Sequence, residues 1–135
     1  MGPAEAEVGH LCQDYPGDIE FLGWQPSAQF FQELDLLIHP ASSEAYGMVI
    51  AEAMACHVPV LISDACGAAV DVSERHGTVL SLHNLVSQWA QAGDALLRNT
   101  QSMTGYLRPW AQVAAEYETQ YQAISLKKYQ TTTKI

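Results

Sequence analysis

Basic residues are scarce in this 135-residue chain: six Lys and Arg stand against fifteen Asp and Glu, for a formal charge of −9. None of the six precedes Arg75; they are Arg75, Arg98, Arg108, Lys127, Lys128 and Lys134. That balance argues against nucleic acid as a partner, because neutralising a phosphate backbone takes clustered cations. It also constrains anion binding in the front half. An anion there must be held by backbone N–H groups and helix ends, or by a basic residue from outside the chain. Long apolar runs are missing as well. None reaches the roughly 18 residues that suggest a membrane-spanning helix. The opening Met1-Gly2-Pro3-Ala4-Glu5 has neither a basic stretch nor an apolar core, so it does not read as a signal peptide, and a cytoplasmic location is the expectation. Cysteine is sparse. Cys12, Cys56 and Cys66 are odd in number and form no CxxC pair, which implies free thiols in a reducing compartment and no metal site.

What is present is the composition of an ordinary globular protein, 48% hydrophobic and 16% charged, and too apolar for a disordered chain. The length suits one compact domain. A turn at Gly2-Pro3 leads into a helix over residues 4–13, and Asp14-Tyr15-Pro16-Gly17-Asp18 is a loop rich in breakers. Residues 19–23 read as a short strand ending at Gly23. Pro26-Ser27 opens a helix, with Ser27 as N-cap, that runs through Phe30, Phe31 and Leu34. Residues 36–39 form a second strand, stopped by Pro40. The helix over residues 47–57 carries Met48, Val49, Ala51, Ala53, Met54 and Ala55, apolar around much of its girth, and is expected to be largely buried. Residues 59–63 are a third strand, 64–67 a loop, and a short helix runs through Val70-Asp71-Val72. Residues 77–82 are a fourth strand. Asn84 caps a helix to about residue 99, and a final helix spans about 104–125, with Trp110, Tyr117 and Tyr121 at helical spacing as core packing. Residues 129–135 read as a frayed polar tail. Short apolar strands alternating with helices imply an α/β fold: a doubly wound parallel sheet covered on both faces.

The informative stretch is Ile38-His39-Pro40-Ala41-Ser42-Ser43-Glu44-Ala45-Tyr46-Gly47-Met48-Val49-Ile50-Ala51-Glu52-Ala53-Met54: a strand, a polar loop and the start of a helix. Ligands of open α/β sheets collect at the carboxyl ends of strands, in loops of this kind. The helix start offers unpaired N–H groups and partial positive charge to a phosphate. Gly47 lets backbone approach a ligand closely. Glu44 and Glu52 flank that helix start. Carboxylates suit vicinal hydroxyls, such as those of ribose or a sugar ring, better than phosphates.

Glu44-x7-Glu52 resembles the EX7E motif of retaining GT-B glycosyltransferases. His39-Pro40-Ala41 precedes it, Glu52-Ala53-Met54-Ala55 closes it, and Pro59-Val60-Leu61, Cys66-Gly67 and Gly77-Thr78-Val79 follow. Phe21-Leu22-Gly23 lies upstream. Over roughly residues 2–125 the chain is similar to the C-terminal donor-binding domain of glycosyltransferase family 4. Its pattern looks most like the lipopolysaccharide core glucosyltransferase I group. The resemblance implies the Rossmann-like half of a GT-B fold, truncated at its N-terminal end. On that view residues 1–128 are a partial nucleotide-sugar-binding domain, and the acceptor-binding N-terminal domain is missing.

By position, the resemblance makes Glu44 the catalytic residue, contacting the donor sugar at the transferring centre. Glu52 would bind the ribose hydroxyls. The amides of Tyr46, Gly47, Met48 and Val49 would hold the distal phosphate. Gly23, Trp24 and Gln25 would lie near the nucleobase. His39, at a strand end, is either a ligand contact or a structural histidine. The implied reaction is metal-independent and needs no cofactor. A hexose moves from a nucleotide sugar, UDP-glucose-like, to a lipopolysaccharide or other glycan or lipid-linked acceptor, with the parent enzyme peripheral at the inner membrane. Two departures stand out. His57 occupies a place where the family usually has a small residue, often glycine. The Arg and Lys that neutralise the pyrophosphate in the family have no counterpart, so the chain alone is expected to be inactive. A stand-alone nucleotide-binding module and a fragment of a sugar-nucleotide epimerase are the alternatives. A solvated loop carboxylate would also account for Glu44, and an exposed helix residue for Glu52. Among apolar neighbours, however, an unpartnered Glu52 would be costly.

Overall fold

The computed structural model describes residues 5–15, 17–99, 105, 106 and 109–132. The expected turn at Gly2-Pro3, Pro16 of the first loop, residue 104 and residues 133–135 lie outside them. The chain divides into two compact units, Met1–Gly105 and Tyr106–Ile135, where the sequence suggested one.

The first unit is built on a three-stranded parallel sheet. Strand β1 (Leu37–His39) pairs with β2 (Val60–Ser63), and β2 pairs with β3 (Gly77–Leu80), in the order β1-β2-β3. Each strand lies within a residue or two of its sequence-based position. All four residues of β2 are fully buried. Its Val-Leu-Ile run is what a central strand covered on both faces requires. Gly77 is needed where β3 meets it, because a Cβ there would fall on the carbonyl oxygen of Val60.

Helix α1 spans Glu5–Asp14 and helix α2 Ser27–Phe30, which tightens into a 3-10 turn over Phe31–Glu33. Pro26, not Ser27, occupies the cap position of α2. Residues 19–23 are not a strand: they take no ladder partner among the described residues. Their apolar side chains Ile19, Phe21 and Leu22 remain half exposed. An apolar run becomes a strand only where a neighbouring strand supplies its hydrogen bonds, so the expected four strands are three among the described residues.

Helix α3 (Met48–Ala55) crosses from β1 to β2, and it is less buried than its composition suggests. Ile50, Ala53 and Met54, one i, i+3, i+4 stripe, are buried, whereas Met48 is 64% exposed. Val49, Ala51 and Glu52 are half-buried and Ala55 is exposed. Its end is a Schellman arrangement: His57 N–H donates to Met54 C=O at 3.1 Å and Val58 N–H to Ala53 C=O at 3.0 Å. His57 itself sits at φ +64, the left-handed cap where glycine is usual.

A 3-10 turn over Gly67–Asp71 connects β2 towards β3, and α4 (Val86–Arg98) follows. Leu85, not Asn84, caps α4. Its N–H donates to Gln88 Oε1 at 2.8 Å, and Asn84 Nδ2 reaches the same oxygen at 3.2 Å. Gly93 of α4 faces Leu36 and Leu61 at ordinary contact distance. This places α4 over the sheet face that carries Leu61.

The second unit contains α5 (Trp110–Thr132). It starts later than expected and carries on through residues 129–132, which are therefore helix and not tail. Trp110, 87% exposed, and the exposed Tyr117 and Tyr121 are not core residues. The two tyrosine rings lie against each other, centroids 6.3 Å apart. Among the described residues, no helix is long and apolar enough to cross a membrane.

Candidate functional site

The chain leaving β1 is laced to the chain leaving β2. Glu44 N–H donates to Ala65 C=O at 3.2 Å, Gly67 N–H to Glu44 C=O at 3.0 Å, and Ala68 N–H to Tyr46 C=O at 2.8 Å. Glu44 and Cys66 thereby form a parallel bridge that extends the sheet by one step. The fully buried Ser63 hydroxyl donates to Ala41 C=O and lies 3.4 Å from Cys66 Sγ. Gly67 makes the lacing possible, since a Cβ there would fall on the carbonyl oxygen of Ala45. Above this seam the Tyr46 hydroxyl donates to Asp71 Oδ2 at 2.9 Å.

The seam delivers the chain to the start of α3. Gly47, at φ +89 and ψ +68, is the cap residue, and its carbonyl accepts from Ile50 N–H at 2.9 Å. No side chain caps the helix, so its first turn keeps the N–H groups that helix geometry leaves without an internal partner. A Cβ on Gly47 would meet Glu44 Cγ at 3.2 Å. The half-buried Glu44 side chain therefore lies against this tip.

Further along α3, one turn apart, Val49 and Glu52 share a face that borders a cleft of about 440 Å³. Gly23, Trp24 and Gln25 close it from the other side. Gly23 turns the chain at φ +64, and Gln25 Nε2 donates to Leu22 C=O at 2.8 Å. Phe21, Phe30 and Phe31 supply aromatic wall, and Glu20 adds a second carboxylate. Among the described residues the lining contains no Lys, Arg or His. Its chemistry suits a ligand with a flat apolar body and hydroxyl or N–H donors, and it opposes a bare phosphate.

Of the ten residues singled out from sequence, the structure gathers five around this cleft: Gly23, Trp24, Gln25, Val49 and Glu52. Glu44, Tyr46, Gly47 and Met48 sit at the helix tip and do not line it. His39 ends β1, and its Nε2 is buried without a hydrogen-bond partner among the described residues. Sequence reasoning missed Ser63 and Asp71, which position the tip, and Glu20 of the cleft. Ser63 did leave a signal, a hydroxyl closing an apolar strand. Asp71 left one only through the resemblance, since the family often has a glutamate near it, and Glu20 left none. Among the described residues, no group of three or more His, Cys, Asp or Glu side chains could hold a metal ion.

Comparison with known proteins places these features in one family. Residues 1–99 match the family described as glycosyl transferases group 1. The D-inositol 3-phosphate glycosyltransferase of Mycobacterium marinum is 40% identical over 91 residues, 67% of this chain and 19% of that protein. Its Mycobacterium ulcerans counterpart is 38% identical over the same length and shares. That of Mycobacterium tuberculosis is 43% identical over 72 residues, 53% of this chain and 15% of the relative. The chain thus spans about a fifth or less of the length of the curated relatives it matches. No solved structure matches it significantly. With the cleft, the tip and the seam all inside the matched residues, the chain belongs to the glycosyl transferases group 1 family, as part of the Rossmann-like half of a GT-B fold.

Proposed function

We propose that this chain is the donor-binding part of a retaining glycosyltransferase that uses a nucleotide sugar. The supporting observation is that residues 23–25 and the Val49–Glu52 face of α3, distant in sequence, close around one cleft with aromatic walls and carboxylate ends. The base lies against Trp24 and Gln25. Glu52 accepts from the two ribose hydroxyls, a bidentate arrangement suited to a carboxylate. The diphosphate runs towards the start of α3, where the amides of residues 46–49 and the helix dipole meet its charge. Glu44, against Gly47, then faces the sugar. His39, at the end of β1 with its Nε2 buried, is a further polar contact on the donor side.

In the reaction the bond from the anomeric carbon to the distal phosphate oxygen breaks, and the acceptor hydroxyl forms the new glycosidic bond with the configuration retained. Catalysis rests on positioning and on stabilising the departing diphosphate, with no metal required. Because no Lys or Arg precedes Arg75, a cation from elsewhere in the working enzyme completes that stabilisation, and an acceptor-binding domain supplies the second substrate. The donor is UDP-glucose-like and the acceptor a lipopolysaccharide or related glycan at the cytoplasmic face of the inner membrane. The mycobacterial relatives, named for inositol 3-phosphate, offer a competing acceptor, which product identification on the whole enzyme separates.

The direct test is an NMR titration of this chain with UDP and UDP-glucose at millimolar concentration. Shifts at residues 23–25 and 44–52 are expected. Silence at both segments would sink the donor-site reading.

A further inference from the structure

The C-terminal end of α3 carries a residue that its own backbone disfavours. Among the described residues, His57 is the one non-glycine at positive φ, +64. The cap needs that left-handed turn, since the Met54 and Ala53 carbonyls accept there from His57 N–H and Val58 N–H, but it does not need a histidine. Glycine takes the same conformation without strain. His57 is exposed, so core packing does not demand its ring either. What the ring does meet is Gly105, the last residue of the first unit. A Cβ on Gly105 would lie 2.7 Å from His57 Nε2, 2.8 Å from Cε1 and 3.2 Å from Cδ2. The outer edge of the imidazole therefore rests on Gly105, in the space that a side chain there would take. A strained residue persists where its surroundings hold it, and this contact ties it to a segment distant in sequence.

We propose that the His57 ring is a clasp that holds the chain at Gly105 against the end of α3. Helix α4 ends at Arg98 and α5 begins at Trp110. With Gly105 held, residues 106–109 are the tether into α5; with it released, residues 99–109 are, more than twice the length. A shorter tether restricts how far the segment beyond it can range. The clasp is thus a conformational device. It limits the freedom of α5 from the far end of the helix whose start forms the tip, and opening it lengthens the tether without unfolding either unit.

The experiment measures backbone order at Gly105 by nitrogen relaxation in the full chain. In the wild type an order parameter of about 0.85 is expected, as for rigid backbone, and in His57→Gly a value below about 0.6. Urea unfolding of His57→Gly should show a midpoint no lower than that of the wild type, since glycine relieves the positive φ; the loss of order is then local. His57→Asn also tolerates the left-handed cap and lacks the ring, so it should loosen Gly105 in the same way, and it keeps the test open if the glycine variant folds poorly. Gly105→Ala should shift the His57 ring resonances, because three ring atoms stand where the new Cβ would go. A mobile Gly105 in the wild type, a rigid Gly105 in both His57 variants, or unmoved ring resonances in Gly105→Ala overturns the clasp. So does a lower urea midpoint in both His57 variants with order lost throughout the first unit, for His57 would then be holding the fold and not the tether.

Discussion

Gly67→Ala breaks the site without altering any residue assigned to the ligand. A Cβ at this position would fall on the Ala45 carbonyl oxygen and lie 3.0 Å from both Ala45 C and Tyr46 Cα. All three obstacles are backbone atoms, so no rotamer change relieves the overlap, and the two segments must separate. The hydrogen bonds Glu44 to Ala65, Gly67 to Glu44 and Ala68 to Tyr46 cross the seam. At about 1 kcal/mol net apiece, losing all three costs about 3 kcal/mol. Partial retention would leave a loss nearer 2 kcal/mol, still large on the scale of single substitutions. Urea unfolding of wild type and variant, fitted with a common slope of about 1.5 kcal/mol/M, should show the midpoint falling by about 1.3–2 M. The same variant should also bind UDP more weakly, since the tip of α3 hangs from the seam. A midpoint within about 0.3 M of wild type, corresponding to under about 0.5 kcal/mol at that slope, together with unchanged nucleotide affinity, would refute the seam as the element that positions the tip.

Other substitutions probe the tip and the cleft separately. Gly47→Ala places a Cβ at φ +89, 2.7 Å from Ile50 Cδ1, and the left-handed backbone alone should cost about 1–2 kcal/mol by urea unfolding; an unchanged midpoint would contradict that geometry. Tyr46→Phe deletes the hydroxyl that donates to Asp71 and should lower stability by about 0.5–1.5 kcal/mol, read as a lower thermal midpoint. Glu52→Ala should weaken UDP binding by about 1–2 kcal/mol, the cost of a lost charge-assisted hydrogen bond, and an unaltered dissociation constant would remove Glu52 from the ribose. The chain on its own should transfer no sugar from UDP-glucose, for no Lys or Arg precedes Arg75 to meet the leaving diphosphate's charge; detectable product would disprove this.

The comparison of sequence with structure divides along one physical line, between what a segment decides by itself and what it needs from a partner. Val60-Leu61-Ile62 is apolar at every position and is a fully buried strand. The helix beginning after Gly47 was legible from Gly47 and the apolar residues beyond it. Residues 19–23 carry the same kind of apolar run, yet a strand is half of a ladder, and among the described residues no ladder reaches them. Trp110, Tyr117 and Tyr121 show helical spacing and do lie on a helix. Spacing says which residues share a face, and only a packed neighbour makes that face a core. The same distinction governs the site. Glu44 and Glu52 are eight positions apart and look like a matched pair on the page of the sequence, but they hold different stations. A helix advances 100° per residue, which turns Glu52 towards Val49 and the cleft. Glu44 precedes the helix and is fixed instead by backbone bonds to Ala65 and Gly67. The spacing therefore does not itself form a pincer. It sets a distance between two separately supported carboxylates, one held by a helix face and one by a seam. A substitution in the seam should accordingly disturb the diphosphate and sugar end of a bound donor while sparing its nucleoside end.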